Sequence, residues 1–325
     1  EWYGRLVRGG VGLFITGNVY FDPGGRSTPH QAGIDRDDRI PAWRRLTELA
    51  RRSDARSILQ LNHCGRQVFP VPLGHAEVVS ASAVREKTMW TKPRELSAAE
   101  IRALVQGFAE GARRARDAGF DGVQLHAGHG YLLSQFLSPY TNRRSDEYGG
   151  SLENRARFLL ETYRETRRRV GSDFLVLLKI NGEDRLPLGK GLTLEESIEV
   201  SRLLAAEGLD AVEVSVGHYE SGFLTVRGRF PARTLFDRGL GRYCPWFIRV
   251  GARLAKPLLE WFIAPREGYN LGYARAFKAK LGVPVACVGG FRTPAMMARA
   301  IENGDCDLVS LARALIADPD LPRKV

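Results

Sequence analysis

The stretch "HAGHGYLLSQF", residues 126 to 136, holds two histidines three apart and a tyrosine two residues after the second. Three readings are open. As metal ligands, His126 and His129 would need further partners, and no acidic residue stands close by in the loop. As packing groups they would be ordinary satisfied histidines. As donors, neutral imidazoles can offer N–H groups to a carbonyl oxygen and stabilise negative charge developing there. Tyr131, with an ordinary pKa near ~10, keeps its proton at neutral pH and can deliver it to a substrate. An oxyanion stabiliser beside a proton donor suits reduction of an activated double bond. The choice depends on the elements that deliver these side chains.

Those elements are legible as a repeat. Apolar runs occur at "VGLFITG" from Val11, "SILQLNH" from Ser57, "DGVQLHA" from Asp121 and "FLVLLKI" from Phe174. Three more follow, "DAVEVSV" from Asp210, "VPVACVG" from Val283 and "DLVSLA" from Asp307. Apolar at nearly every position, they read as parallel strands buried on both faces. Helix starts separate them: capping boxes at Ser97 with Glu100 and Thr193 with Glu196, an N-cap at Ser151, and Thr293 followed by Pro294. The pattern predicts an α/β fold, a (β/α)8 TIM barrel over residues 1–325 as a single domain. Seven strands are visible and a barrel needs eight. With "EWYGRLVRGG" reading as the end of a helix, the expectation is that this chain lacks the first strand. An open seven-stranded sheet is the alternative.

In a parallel barrel, chemistry gathers at the carboxyl ends of the strands. In barrel order the third strand ends in Gln60, Asn62, His63 and Arg66, and the fourth in His126, with His129 and Tyr131 following. The fifth carries Lys179 and Asn181, the sixth Ser215 and Gly217. Gly289 and Gly290 end the seventh, and Ala312 and Arg313 follow the eighth. Glycines there allow close backbone approach, and loops after strands seven and eight commonly cradle a phosphate.

Composition narrows the partners. The net charge is +11, from 40 arginines and 8 lysines against 37 acidic residues. No basic stripe interleaves with aromatics as single-stranded nucleic acid requires, so nucleic-acid binding is not expected. Residues 223–267, after the sixth strand, hold nine basic and three acidic residues around "PWFIRVGARLAKPLLEWF". This basic excursion suits a lid over the site, or an amphipathic surface that touches a membrane or a partner. Four scattered cysteines give no metal or disulfide framework. Without a signal peptide or a long apolar run, a cytoplasmic protein is expected.

The blocks "QLNHCGR", "HAGHGYLLSQFLSPYTNRRSDEYGGSLENRARF", "KINGED" and "VGGFRTP…LVSLARALIADPDL" resemble the old yellow enzyme family of flavin oxidoreductases, and most nearly its bacterial branch with the 2,4-dienoyl-CoA reductases. The resemblance implies FMN reduced by NADH or NADPH, with hydride passing from the flavin to the β-carbon of an enone or dienoyl thioester. It implies that Gln60 bonds the flavin ring and that Lys179 lies beside its N1–C2 edge. Gly17 is placed near the ring, and Gly289, Gly290, Ala312 and Arg313 at the phosphate. His126 and His129 would bind the substrate carbonyl and Tyr131 would protonate the α-carbon. No metal site is implied, and an iron–sulfur cluster finds no support in this chain. Arg143, Arg144, Asp146, Tyr148 and Asn154 read as scaffold for the loop. The alternatives are an amine demethylase or dehydrogenase on the same fold, or an inactive fragment that interacts through the excursion. A small-molecule substrate and a possible homo-oligomer complete the expectation.

Overall fold

The computed structural model describes every residue except 70–72, 75–76, 222–226 and 230. The chain opens with α1 (Trp2–Arg8), β1 (Leu13–Ile15), β2 (Val19–Tyr20), α2 (Ile40–Arg51) and β3 (Arg56–Asn62). Next come β4 (Val79–Ser80), β5 (Arg94–Glu95), α3 (Ala98–Asp117), β6 (Gly122–Ala127), α4 (Leu132–Leu137) and α5 (Leu152–Val170). Then follow β7 (Leu175–Asn181), α6 (Leu194–Ala206), β8 (Ala211–Ser215), α7 (Trp246–Leu254) and α8 (Lys256–Phe262). The chain ends with α9 (Leu271–Lys278), β9 (Val285–Val288), α10 (Pro294–Glu302), β10 (Leu308–Ser310), α11 (Arg313–Ala317) and α12 (Leu321–Lys324).

All seven expected strands are present. They hydrogen-bond in the order β1-β3-β6-β7-β8-β9-β10, every pair parallel, with β2 as an extra pairing on β3. Among the described residues, β1 and β10 each lack a second neighbour along this path. The arc is a (β/α)8 barrel short of one strand. Its two free edges are less buried than its middle: Leu13 is 37% exposed and Leu308 47%, whereas Val123 and Leu125 on β6 are fully buried.

The amino ends of the strands share one device. Asp121, Asp210 and Asp307 each precede a strand and accept the backbone N–H of Ser57, Val176 or Val285 on the preceding strand, at 2.7, 2.7 and 2.8 Å. Each carboxylate satisfies an amide that the ladder leaves over, which locks the strands in pairs at the face away from the site.

The helices start where the sequence places them. Ser97 and Thr193 form complete capping boxes with Glu100 and Glu196, and Ser151 accepts the Asn154 amide. Losing such a cap typically costs about 1 kcal/mol. Thr293 departs from the pattern: it precedes α10, but its hydroxyl donates to Glu267 and makes no cap bond. The scaffold reading of the loop after β6 also holds, since the Arg144 guanidinium donates to the carbonyls of Ala81 and Leu96 and pairs with Asp146.

The excursion begins outside the described residues. Its later part folds as α7 and α8 around a small cluster of Ala232, Phe236, Cys244 and Ile263, joined by Phe69 from the far side. Among the described residues, no helix is long and apolar enough to cross a membrane.

Candidate active site

β6 delivers the histidine–tyrosine group at its carboxyl end. His126 is 4% exposed on the strand, His129 sits in the tight turn after it, and Tyr131 is the N-cap residue just before α4. His129 holds a left-handed conformation, φ 59°, rare for a residue with a side chain. Asn181 at the end of β7 fixes the turn by accepting the His129 N–H at 3.0 Å. This local strain is the kind that persists where surrounding bonds enforce it.

The result is a compact set of rings. His126 meets both His129 and Tyr131 edge-on, each at a centroid separation of 5.0 Å. His126 Nδ1 accepts the Gly128 N–H at 3.3 Å, which leaves the proton of the neutral ring on Nε2. His129 Nε2 pairs with Ser215 Oγ at 2.7 Å. Burial drives the histidine pKa values down, and nearby positive charge adds to it: His129 falls to about 3 and His126 well below its ordinary value. Burial pushes Tyr131 well above the ordinary phenol value, and Tyr219 adds to the effect. Two neutral imidazoles and one protonated phenol are therefore the resident forms at pH 7. Among the described residues, no group of three His, Cys, Asp or Glu could hold a metal.

Sequence reasoning missed Tyr219. Its hydroxyl lies 3.4 Å from that of Tyr131, brought there by the loop after β8, whose His218 bridges to His129. No periodic pattern marks an irregular loop, so only the fold reveals this neighbour.

Across the floor, Gln60 and Lys179 belong to one connected chain of side chains. Gln60 Nε2 donates to Gln124 at 2.6 Å, Gln124 Nε2 donates to Glu213 at 3.0 Å, and Lys179 Nζ meets the same Glu213 oxygen at 3.0 Å. Gln124 and Glu213 were also missed, although a signal existed. Each interrupts an apolar strand buried on both faces, and a polar residue there needs a partner inside. Asn62, on the same face of β3 two residues after Gln60, is fully buried with both amide atoms unpartnered.

The expected phosphate end is rich in arginine. Arg313 opens α11 after Ala312 and donates to the Arg227 carbonyl. Arg227 lies over the Tyr269 ring at 5.6 Å, and its pKa is lowered by burial and by the positive charges of Arg185 and Arg266. Like charges gathered in this way suit an anionic group. Gly289 and Gly290 line this end, but packing also demands them. A side chain on Gly289 would press on Asn270, and Gly290 has φ +72° against the Arg266 carbonyl. Gly17 faces open space, and its N–H is taken by the Tyr3 hydroxyl at 2.9 Å. The set fits FMN: amide and ammonium groups along a floor, orphaned amide atoms on Asn62, and a cationic end for a phosphate.

The chain is similar to known proteins along most of its length. The family model described as NADH:flavin oxidoreductase / NADH oxidase matches residues 1–234 and 253–325. An NADH oxidase of Thermoanaerobacter brockii is 34% identical over the whole chain, which spans 44% of that protein. An NADPH dehydrogenase of Geobacillus thermodenitrificans is 33% identical over 98% of the chain and 80% of the relative. Among solved structures, a 2-naphthoyl-CoA reductase complex superposes with a TM-score of 0.82 at 27% identity, covering 99% of this chain and 46% of that one. The chain thus spans less than half of two of these three proteins. The resemblance to old yellow enzyme is borne out: the chain belongs to the NADH:flavin oxidoreductase / NADH oxidase family.

Proposed function

We propose that the protein is an FMN-dependent reductase of activated carbon–carbon double bonds, in enones or dienoyl thioesters, using NADH or NADPH. One observation carries this reading: His126, His129 and Tyr131 converge with 5.0 Å ring contacts at the carboxyl end of the strands, in neutral forms suited to donation.

FMN would be held by Gln60 and Lys179, with Gly17 near the ring and Gly289, Gly290, Ala312 and Arg313 at its phosphate. Bound there and reduced by the nicotinamide, it supplies the hydride. The remaining work belongs to the side chains. His126 offers its Nε2 proton to the substrate carbonyl, and Ser215 orients His129 beside it. Neutral imidazoles bind a carbonyl without protonating it, so they draw electron density toward oxygen and leave the α-carbon to receive a proton. Tyr131 holds that proton, and its high pKa keeps it in place until the α-carbon turns basic. Tyr219, 3.4 Å away, is placed to restore it.

The test is direct. Purified protein titrated with FMN should turn yellow and quench flavin fluorescence. Anaerobic NADH or NADPH should then bleach it, and an α,β-unsaturated ketone should restore the colour. A protein that stays colourless and leaves free-flavin fluorescence unchanged removes the proposal.

A further inference from the structure

Helices α7 and α8 run one after the other, and their inner side chains Ile248, Ala252 and Leu259 close the small cluster beside Phe69. The outer side is apolar as well. Trp246, Val250, Leu254, Leu258 and Trp261 are 69, 43, 78, 67 and 76% exposed. Spaced by four, four, four and three residues, they form one stripe along the two helices. A soluble protein rarely leaves a contiguous stripe of this kind uncovered without a use for it. The family model skips residues 235–252, which hold Trp246 and Val250, and resumes at residue 253 before Leu254, Leu258 and Trp261.

We propose that this face is a docking surface for an anionic lipid bilayer, on which the protein lies without spanning it. Charge selects the occupant. Between residues 238 and 262 stand Arg238, Arg242, Arg249, Arg253 and Lys256 against one carboxylate, Glu260. Asp237, just outside, pairs with Arg253. Apolar groups in line, cations around them and a tryptophan at each end are the composition of an interfacial helix on acidic lipid. A second copy of the chain is a poor match, because two-fold pairing sets this cationic face against itself. The stripe is anchored at its start: Phe247, next to Trp246, meets Trp90 edge-on at 5.5 Å, and Trp90 lines a cavity of about 340 Å³ with Phe69, Met89 and Tyr243. Docking there would set the loop after the third barrel strand next to the lipid surface.

Flotation of the whole chain with vesicles of phosphatidylcholine, with and without phosphatidylglycerol, tests the surface. The expected result is co-flotation with the anionic vesicles alone, a blue shift of tryptophan emission, and release at high salt. Trp246→Ser with Trp261→Ser, or Leu254→Ser with Leu258→Ser, should cut vesicle partitioning by about tenfold or more, since each pair removes large apolar groups. Flavin binding and melting temperature should stay unchanged in both variants. Three results would overturn the proposal: no flotation with either vesicle, flotation that ignores both pairs of substitutions, or a dimer by sedimentation that the same substitutions abolish.

Discussion

Lys179 and Glu213 occupy paired positions on β7 and β8, and their side chains meet at 3.0 Å; His126 on β6 is the partner of Lys179 in the same register. Both are largely buried, at 13 and 6% side-chain exposure. Burial alone would raise the Glu213 pKa, yet Lys179 and Gln124 hold it below its ordinary value. Glu213 is thus ionised at neutral pH. Removing one partner strands a buried charge, so Lys179→Met should cost about 3–5 kcal/mol. The double variant with Glu213→Leu should recover most of that loss. Denaturant midpoints of the three proteins check the cycle. A depressed carboxylate stabilises the fold above its unfolded pKa, and this contribution fades as pH falls through the native value.

Tyr131→Phe removes a proton but almost no volume. Turnover of an enone should fall ~100-fold or more, the usual scale for a lost general acid. Flavin reduction by NADH or NADPH should stay near the parent rate in stopped-flow traces. Unchanged enone turnover takes Tyr131 out of the mechanism, and an amine-oxidising enzyme would show no such split.

The buried histidines also predict a pH slope. Folded His129 titrates near 3 and His126 well below its ordinary value, whereas both return to about 6.5 when unfolded. Below that pH the unfolded chain binds more protons than the folded one. Stability present above about pH 6.5 is therefore lost as pH falls, by about 1.4 kcal/mol per pH unit for each histidine. His129→Asn should flatten part of the slope in urea melts taken between those limits.

Arginine repulsion gives a prediction of opposite signs. Arg227 and Arg313 meet through a backbone carbonyl among other cations. Arg313→Gln with Arg227→Gln should weaken FMN binding by about tenfold or more, since charge-assisted bonds to a phosphate are the strong ones. The same change should leave the flavin-free protein as stable as before, or more so. Fluorescence titration and thermal melts read the two effects separately.

Much of this was legible because the strands announce themselves. Runs such as "FLVLLKI" have no polar face, so they could only be buried parallel strands, and each such segment proved to be one. Their aspartates at positions 121, 210 and 307 were visible as letters but not as a device. A carboxylate that bonds the preceding strand's amide requires the register, which a single sequence does not contain. The same limit hid Gln124 and Glu213: each stood out within its strand, but only sheet order brings them to Gln60 and Lys179. Thr293 shows the reverse error. Its local pattern promised a cap, and Glu267, 26 residues earlier, supplied a stronger partner for the hydroxyl. At Gly289 and Gly290 the close approach of Asn270 and the Arg266 carbonyl is in itself a reason for glycine, and no sequence pattern announces it.

Among the described residues, β1 and β10 are the two lips of the parallel sheet, each paired on one side along its path. A ligand touching Gly17 beside one lip and Arg313 beside the other would act as a clasp, coupling its own affinity to the distance between them. Thermal midpoints should then climb with flavin concentration further than ordinary pocket filling explains, and hydrogen exchange at Leu13–Ile15 and Leu308–Ser310 should slow before any other strands respond.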